Sequence, residues 1–137
     1  MPYQTFEHTA DLGISIQAGS VKVLFEEAAR ALSEQIFGKC VFAATEEISV
    51  SVRGNDWPDL MVNWLRELLY LWNGKRWIPG PVDIMRIEPF KLEATVPVDS
   101  RPGTSHDSVR EIKAVTYHQI EVGRLDHGWQ ARVIFDV

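Results

Sequence analysis

Apolar residues recur along this chain with two different periods, and the changes of period divide it into elements. From Tyr3 to His8 they alternate, which predicts a short strand. Residues 10–13 carry turn character, and Ile14 and Ile16 then mark a second short strand ended by Ala18-Gly19. The period next lengthens. Val21, Leu24, Phe25, Ala28, Leu32 and Ile36 recur at helical spacing, with Glu26, Glu27, Arg30 and Glu34 on the other side. Ser20 stands where an N-cap belongs, and Gly38 where a helix ends.

Ile48, Val50 and Val52 alternate with Ser49 and Ser51, which predicts a half-buried strand. Asn55-Asp56 leads into Pro58, a residue suited to the first turn of a second helix. Leu60, Met61, Trp64, Leu65, Leu68, Leu69 and Trp72 form a wide apolar stripe on it, and Asn73-Gly74 ends it. Such a stripe is expected to pack on a sheet. Residues 84–87 and 91–96 read as strands broken by Glu88-Pro89, and residues 99–108 as a turn-rich surface loop. Beyond it, Ile112, Ala114, Thr116, His118, Ile120 and Val122 share one parity, with Glu111, Lys113, Gln119 and Glu121 on the other. Asp126-His127-Gly128 predicts a hairpin turn. Trp129, Ala131, Val133 and Phe135 line one face of a last strand, with Gln130, Arg132 and Asp136 opposite. Strands joined by hairpins, with only two amphipathic helices, predict an α+β fold with a mainly antiparallel β-sheet.

Length and charge narrow the function. The 137 residues suffice for a single domain over residues 1–137 with its own core. Fourteen Lys and Arg stand against 19 Asp and Glu, a net charge of −5. That balance opposes a direct grip on nucleic acid, whose phosphates must be neutralised. The longest cationic run is only Lys75-Arg76. Any role on RNA is therefore expected to pass through a protein partner or a metal. The single cysteine, Cys40, allows no intrachain disulfide and suits a reducing cytosol, where it reads as a small buried apolar residue. No apolar run approaches the roughly 18 residues of a membrane span, and the N-terminus has no signal-peptide pattern.

The familiar catalytic patterns are missing: no glycine-rich phosphate loop, no paired cysteines, no nucleophile elbow. A site must then be built from carboxylates, histidines and one or two lysines. Three stretches stand out: His8-Thr9-Ala10-Asp11, residues 111–118 (EIKAVTYH), and Phe135-Asp136-Val137. Asp136 and a terminal carboxylate on Val137 would put two anionic groups one residue apart. If the first and last strands are neighbours, Asp11 joins them. Clustered carboxylates repel unless a cation sits between them, and hard oxygen ligands favour Ca²⁺, Mg²⁺ or Mn²⁺. The plainer alternative is a turn aspartate and a solvated chain end. His118 lies on the apolar parity and reads as a core histidine, or else lines a site at the sheet edge with Thr116. Lys113 faces away, either solvated or poised for a phosphate or a carboxylate of the site. His106 and His127 fall in loop and turn, facing solvent. A metal-dependent hydrolase using His8, Asp11, His118 and Asp136 is a competing reading. A chaperone-like binder with the stripe of the second helix exposed is another.

Residues 8–11 (HTAD), 111–118 (EIKAVTYH) and the FDV at 135–137 together resemble the archease family, as do GSVKVLFEEAARAL (19–32), WLRELLYLW (64–72) and the closing GWQARVIFDV. The likeness covers nearly the whole chain in order. It implies an α+β domain that serves as a cytoplasmic activator of an RtcB-type RNA ligase. That ligase joins 2′,3′-cyclic-phosphate or 3′-phosphate ends to a 5′-hydroxyl with GTP and Mn²⁺ in tRNA splicing and RNA repair. The resemblance implies faster guanylylation and multiple turnover of the ligase, with no catalytic turnover by this chain and RNA touched only indirectly. It carries the family's divalent-metal site, with calcium the expected ion, onto Asp11, Asp136 and main-chain oxygens of Val137. It marks Lys113, and beside it His118, for contact with the ligase or its nucleotide. A monomer is expected.

Overall fold

The computed structural model describes residues 3–8 (7 and 8 as backbone), 11–38, 41–102 and 108–137. Thr9, Ala10, Cys40, His106 and part of the predicted 99–108 loop lie outside them. In chain order the elements are β1 Tyr3–His8, β2 Asp11–Ala18, α1 Val21–Phe37, β3 Glu46–Arg53, α2 Trp57–Asn73, β4 Ile78–Pro79, β5 Asp83–Glu88, β6 Lys91–Asp99, β7 Ala114–Leu125 and β8 Gly128–Asp136. Both sheets are antiparallel. One has the order β1-β2-β8-β7 and the other β3-β6-β4, with β5 also paired to β6. This is the α+β class that the two periodicities predict.

The helices begin and end where their caps stand. Ser20 Oγ accepts from the Val23 amide at 3.2 Å, and Asp56 Oδ1 from the Asp59 amide at 2.8 Å. Gly38 closes α1 at φ 61°, the left-handed region that a side chain would resist. α1 rests on β2, β8 and β5, while α2 rests on β7, β3 and β4. Leu24, Phe25, Ala28, Leu32 and Ile36 of α1 meet Leu60, Met61, Trp64, Leu65 and Leu68 of α2 in one continuous core. The stripe of α2 is thus buried, and the surface that the chaperone-like reading requires is covered. No helix is long and apolar enough to cross a membrane among the described residues.

One expectation fails at the start of β2. Residues 11–13 are strand, not turn, because Asp11, Leu12 and Gly13 pair with β1 on one side and β8 on the other. A two-sided ladder outweighs the local turn preference of Asp and Gly. Gly13 has a packing role as well. The Phe6 ring lies across it, 2.0 Å from where a Cβ would be, and Arg132 stacks on that ring at 4.1 Å.

A polar anchor sits at the end of β6. Asp99 is 2% exposed and accepts from the Ala43 amide at 3.2 Å and from Arg101 Nε and NH2 at 2.9 and 2.7 Å. The guanidinium holds its carboxyl well below the usual carboxylate range. A depressed folded-state pKa stabilises above the unfolded value, and that contribution fades as pH falls through the folded one. Asp99→Asn is therefore expected to cost about 2 kcal/mol at neutral pH and progressively less below pH ~4. Urea titrations of both chains across that range check it; a deficit constant with pH would contradict it.

Candidate functional site

Strand alternation decides which way the acidic residues face. Leu12, Val133 and Phe135 are buried, so their neighbours Asp11 and Asp136 point to the opposite, outer face, each half-buried. β2 and β8 pair in the register that sets Asp11 against Asp136. Directly opposed residues of antiparallel strands hold their Cβ atoms about 4.5–5.5 Å apart. Two carboxylates are thereby placed side by side. The backbone row across the sheet runs His8, Asp11, Asp136, Ala114. The methyl group of Ala114 leaves the flank of Asp136 open.

Like charges directly opposed weaken a sheet. The pair is relieved if a cation bridges it, and two carboxylates suit a hard divalent ion. The Val137 main chain follows Asp136 immediately, while its side chain packs against the core. Asp11, Asp136 and a main-chain oxygen of Val137 thus fit the donor set expected for calcium or magnesium. Among the described residues no group of three His, Cys, Asp or Glu side chains converges.

Lys113 adjoins this pair. Its amide donates to the Asp136 carbonyl at 2.7 Å. Just before it, Ile112 is buried, and its carbonyl accepts from Asn73 Nδ2 at 3.0 Å. The backbone of Lys113 is therefore fixed from both sides while its side chain is exposed, on the polar side its parity predicts.

His118 departs from expectation. It is exposed, not a core histidine. The register of β7 on β8 jumps from Thr116↔Ile134 to Glu121↔Arg132. Five steps on β7 thus answer two on β8, an odd excess that swaps the faces. Val115, not Ala114 or Thr116, faces the core opposite Phe135, whereas Val122 faces it beyond the bulge. Gln119 takes the left-handed conformation, φ 51°, at this irregularity. His118 rides on it, its amide donating to Thr116 Oγ1 at 3.3 Å, away from the row that holds Asp136.

Tyr117 is the residue that sequence reading missed. Its hydroxyl donates to Asp59 at 2.6 Å, and Arg66 lies over its ring at 4.9 Å, tying the bulge to α2. That hydrogen bond lowers the Asp59 carboxyl below its ordinary range and raises the Tyr117 phenol above its own. The available signal was the break in apolar alternation between Val115 and Ile120.

The chain matches the Archease protein family over residues 3–137. An archease from Pyrococcus abyssi is 32% identical, with 98% of each chain covered. One from Methanosarcina mazei is 31% identical over 98% of this chain and 95% of its own. The solution structure of Methanobacterium thermoautotrophicum protein 1598 superposes with a TM-score of 0.78 at 29% identity, covering 99% of both chains. A crystal structure from Thermotoga maritima, described as an archease and possible chaperone, gives 0.67 at 27% identity over 98% of this chain and 96% of that one. Matched from its first described strand to its last residue, this chain belongs to the archease family.

Proposed function

We propose that this protein activates an RtcB-type RNA ligase in tRNA splicing and RNA repair, promoting ligase guanylylation and multiple turnover without turnover of its own. The observation that carries the reading is the cross-strand pairing of Asp11 with Asp136 on the outer face of the sheet. These two, with a main-chain oxygen of Val137, would hold a divalent ion: calcium, or magnesium or manganese in the cytoplasm. Such an ion neutralises phosphate charge where a nucleotide is attacked. Lys113, held at the edge of the pair, presents its ammonium group to the ligase's nucleotide. His118 stands farther along β7, where it would meet the ligase surface rather than the ion. The net charge of −5 supports action through the ligase, with RNA touched only indirectly. The monomer suffices, since every group named comes from one chain.

The test is ligation under multiple-turnover conditions with the ligase in deficit. Asp11→Ala is expected to reduce the stimulation at least tenfold while its circular dichroism stays that of the parent. Full stimulation by the folded variant would end this reading.

A further inference from the structure

A groove of about 440 Å³ runs between α1 and residues 78–82. That volume falls within the roughly 300–1,000 Å³ of ordinary ligand sites. None of its lining residues lies on β2, β7 or β8, the strands around the carboxylate pair. Its floor is apolar: Phe37 and Ile78 are buried, and Phe42, Pro79, Pro81 and Val82 complete it. The walls are set before a partner arrives. Glu26 accepts from the Ile84 amide at 3.2 Å, which ties α1 to β5, and the Gly80 amide donates to the Pro97 carbonyl at 2.8 Å. The Phe42 ring lies 2.3 Å from where a Cβ on Gly80 would be, an approach that a side chain there would block.

The rim is acidic and its polar groups are acceptors. Pro79 and Pro81 carry no amide hydrogen, and that of Gly80 is already used. The Ser33 hydroxyl turns to the Pro79 carbonyl at 3.4 Å. Arg30 is held by Glu27 and Glu34 at 2.6 and 2.7 Å, and the Tyr3 hydroxyl donates to Glu34. Glu26, Glu27 and Glu34 set three carboxylates against one guanidinium on the lining, with Lys22 approaching Glu26 at 3.7 Å from outside it. The last turn of α1 adds no basic residue to offset the negative end of the helix dipole. Apolar surface continues past that end: Val109 is exposed and lies against Gly38, and Val41, next to Phe42 in the chain, is exposed too.

An apolar trough with an acidic rim selects an occupant with an apolar body and positive flanks. Phosphates are repelled by the same rim. Aromatic residues and arginine concentrate binding energy in protein interfaces, and the Phe37 and Phe42 rings offer an entering ring edge or face contacts. We infer that this groove docks a short segment of a partner protein, an aromatic anchor flanked by lysine or arginine. The trough supplies affinity, and the rim supplies selectivity and speed of encounter. The inference stands apart from the ligase reading, because the two use different residues.

Amide chemical shifts of the full chain, titrated with the capped peptides Arg-Trp-Arg, Glu-Trp-Glu and Arg-Ala-Arg, test this. Arg-Trp-Arg is expected to shift Glu27, Ser33, Phe37, Gly80 and Val82 saturably, and each of the others to bind about tenfold more weakly. Ser33→Leu, which suits a helix and fills the groove, is expected to weaken Arg-Trp-Arg about tenfold. Rim charge gives opposite signs. Glu27→Gln weakens the peptide about threefold, whereas Arg30→Gln, which leaves Glu27 and Glu34 without their cation, tightens it about as much. Peptide-free shifts that grow with protein concentration would give the groove to a second copy of the chain. Free indole binding as tightly as Arg-Trp-Arg would give it to a small molecule, and equal binding of all three peptides would make it an unselective surface. Each of these overturns the proposal, as does unchanged affinity in Ser33→Leu. The peptide comparison uses the parent chain, so it decides even where a variant fails to fold.

Discussion

Calcium is expected to raise the melting temperature of the parent protein and to leave that of Asp136→Asn almost unchanged. An ion that binds only the folded state adds RT ln(1 + [L]/Kd), about 2.7 kcal/mol at a hundredfold excess over Kd. For a domain of this length that is a rise of roughly 10 °C. Asp136→Asn keeps the shape of the side chain and removes half of the charge pair set up by the Asp11↔Asp136 register. Without divalent ions the variant gains a little, because opposed like charges cost a few tenths of a kcal/mol or more. The sign therefore inverts between conditions: the variant melts slightly above the parent in chelator and well below it in calcium. Scanning calorimetry of both chains, with EDTA and with calcium, measures all four values. An equal calcium-induced rise in both would remove Asp136 from the site.

Much of this site was readable because simple alternation governs β8. Once Trp129, Ala131, Val133 and Phe135 are seen as one apolar face, Asp136 must stand on the other, and the structure places it there. The neighbouring strand was harder. Asp11, Leu12 and Gly13 look like a turn in isolation, and it is their pairing to β1 and to β8, the latter more than a hundred residues away in sequence, that makes them strand. Long-range pairing leaves no local trace. β7 misleads in another way. Its sequence reads as one parity from Ile112 to Val122 only when polar Thr116 and His118 are counted with the apolar residues, and the backbone inserts an odd number of residues opposite β8 and reverses the faces midway. The insertion is stabilised by Tyr117 reaching Asp59 and by Arg66 stacking over its ring, contacts spanning up to 58 positions. The parity points His118 to the core as one of its two readings, whereas it lies exposed.

Trp64→Ala is expected to be the most damaging single change to the fold. Trp64 is fully buried, and its indole Nε1 donates to the Phe25 carbonyl at 3.0 Å, so it joins α2 to α1 by both volume and hydrogen bond. Truncating a buried aromatic costs about 3–5 kcal/mol, through lost burial and a cavity that neighbours only partly fill. Against a total of roughly 5–15 kcal/mol, that removes a third or more of the stability. Trp64→Phe should lose less, about 1–2 kcal/mol, since most of the volume remains and chiefly the hydrogen bond goes. Denaturant midpoints report both, provided the slope with denaturant is unchanged. The carboxylate pair depends on the β2–β8 register rather than on this contact. Molecules of Trp64→Ala that remain folded should therefore bind calcium with the affinity of the parent, although fewer are folded at any temperature. Asp136→Asn makes the opposite combination: a fold at least as stable in chelator, and no calcium site. If Trp64→Ala instead lost calcium affinity in proportion to its stability, helix packing and the strand-end site would be one cooperative unit, and the independence argued here would be wrong.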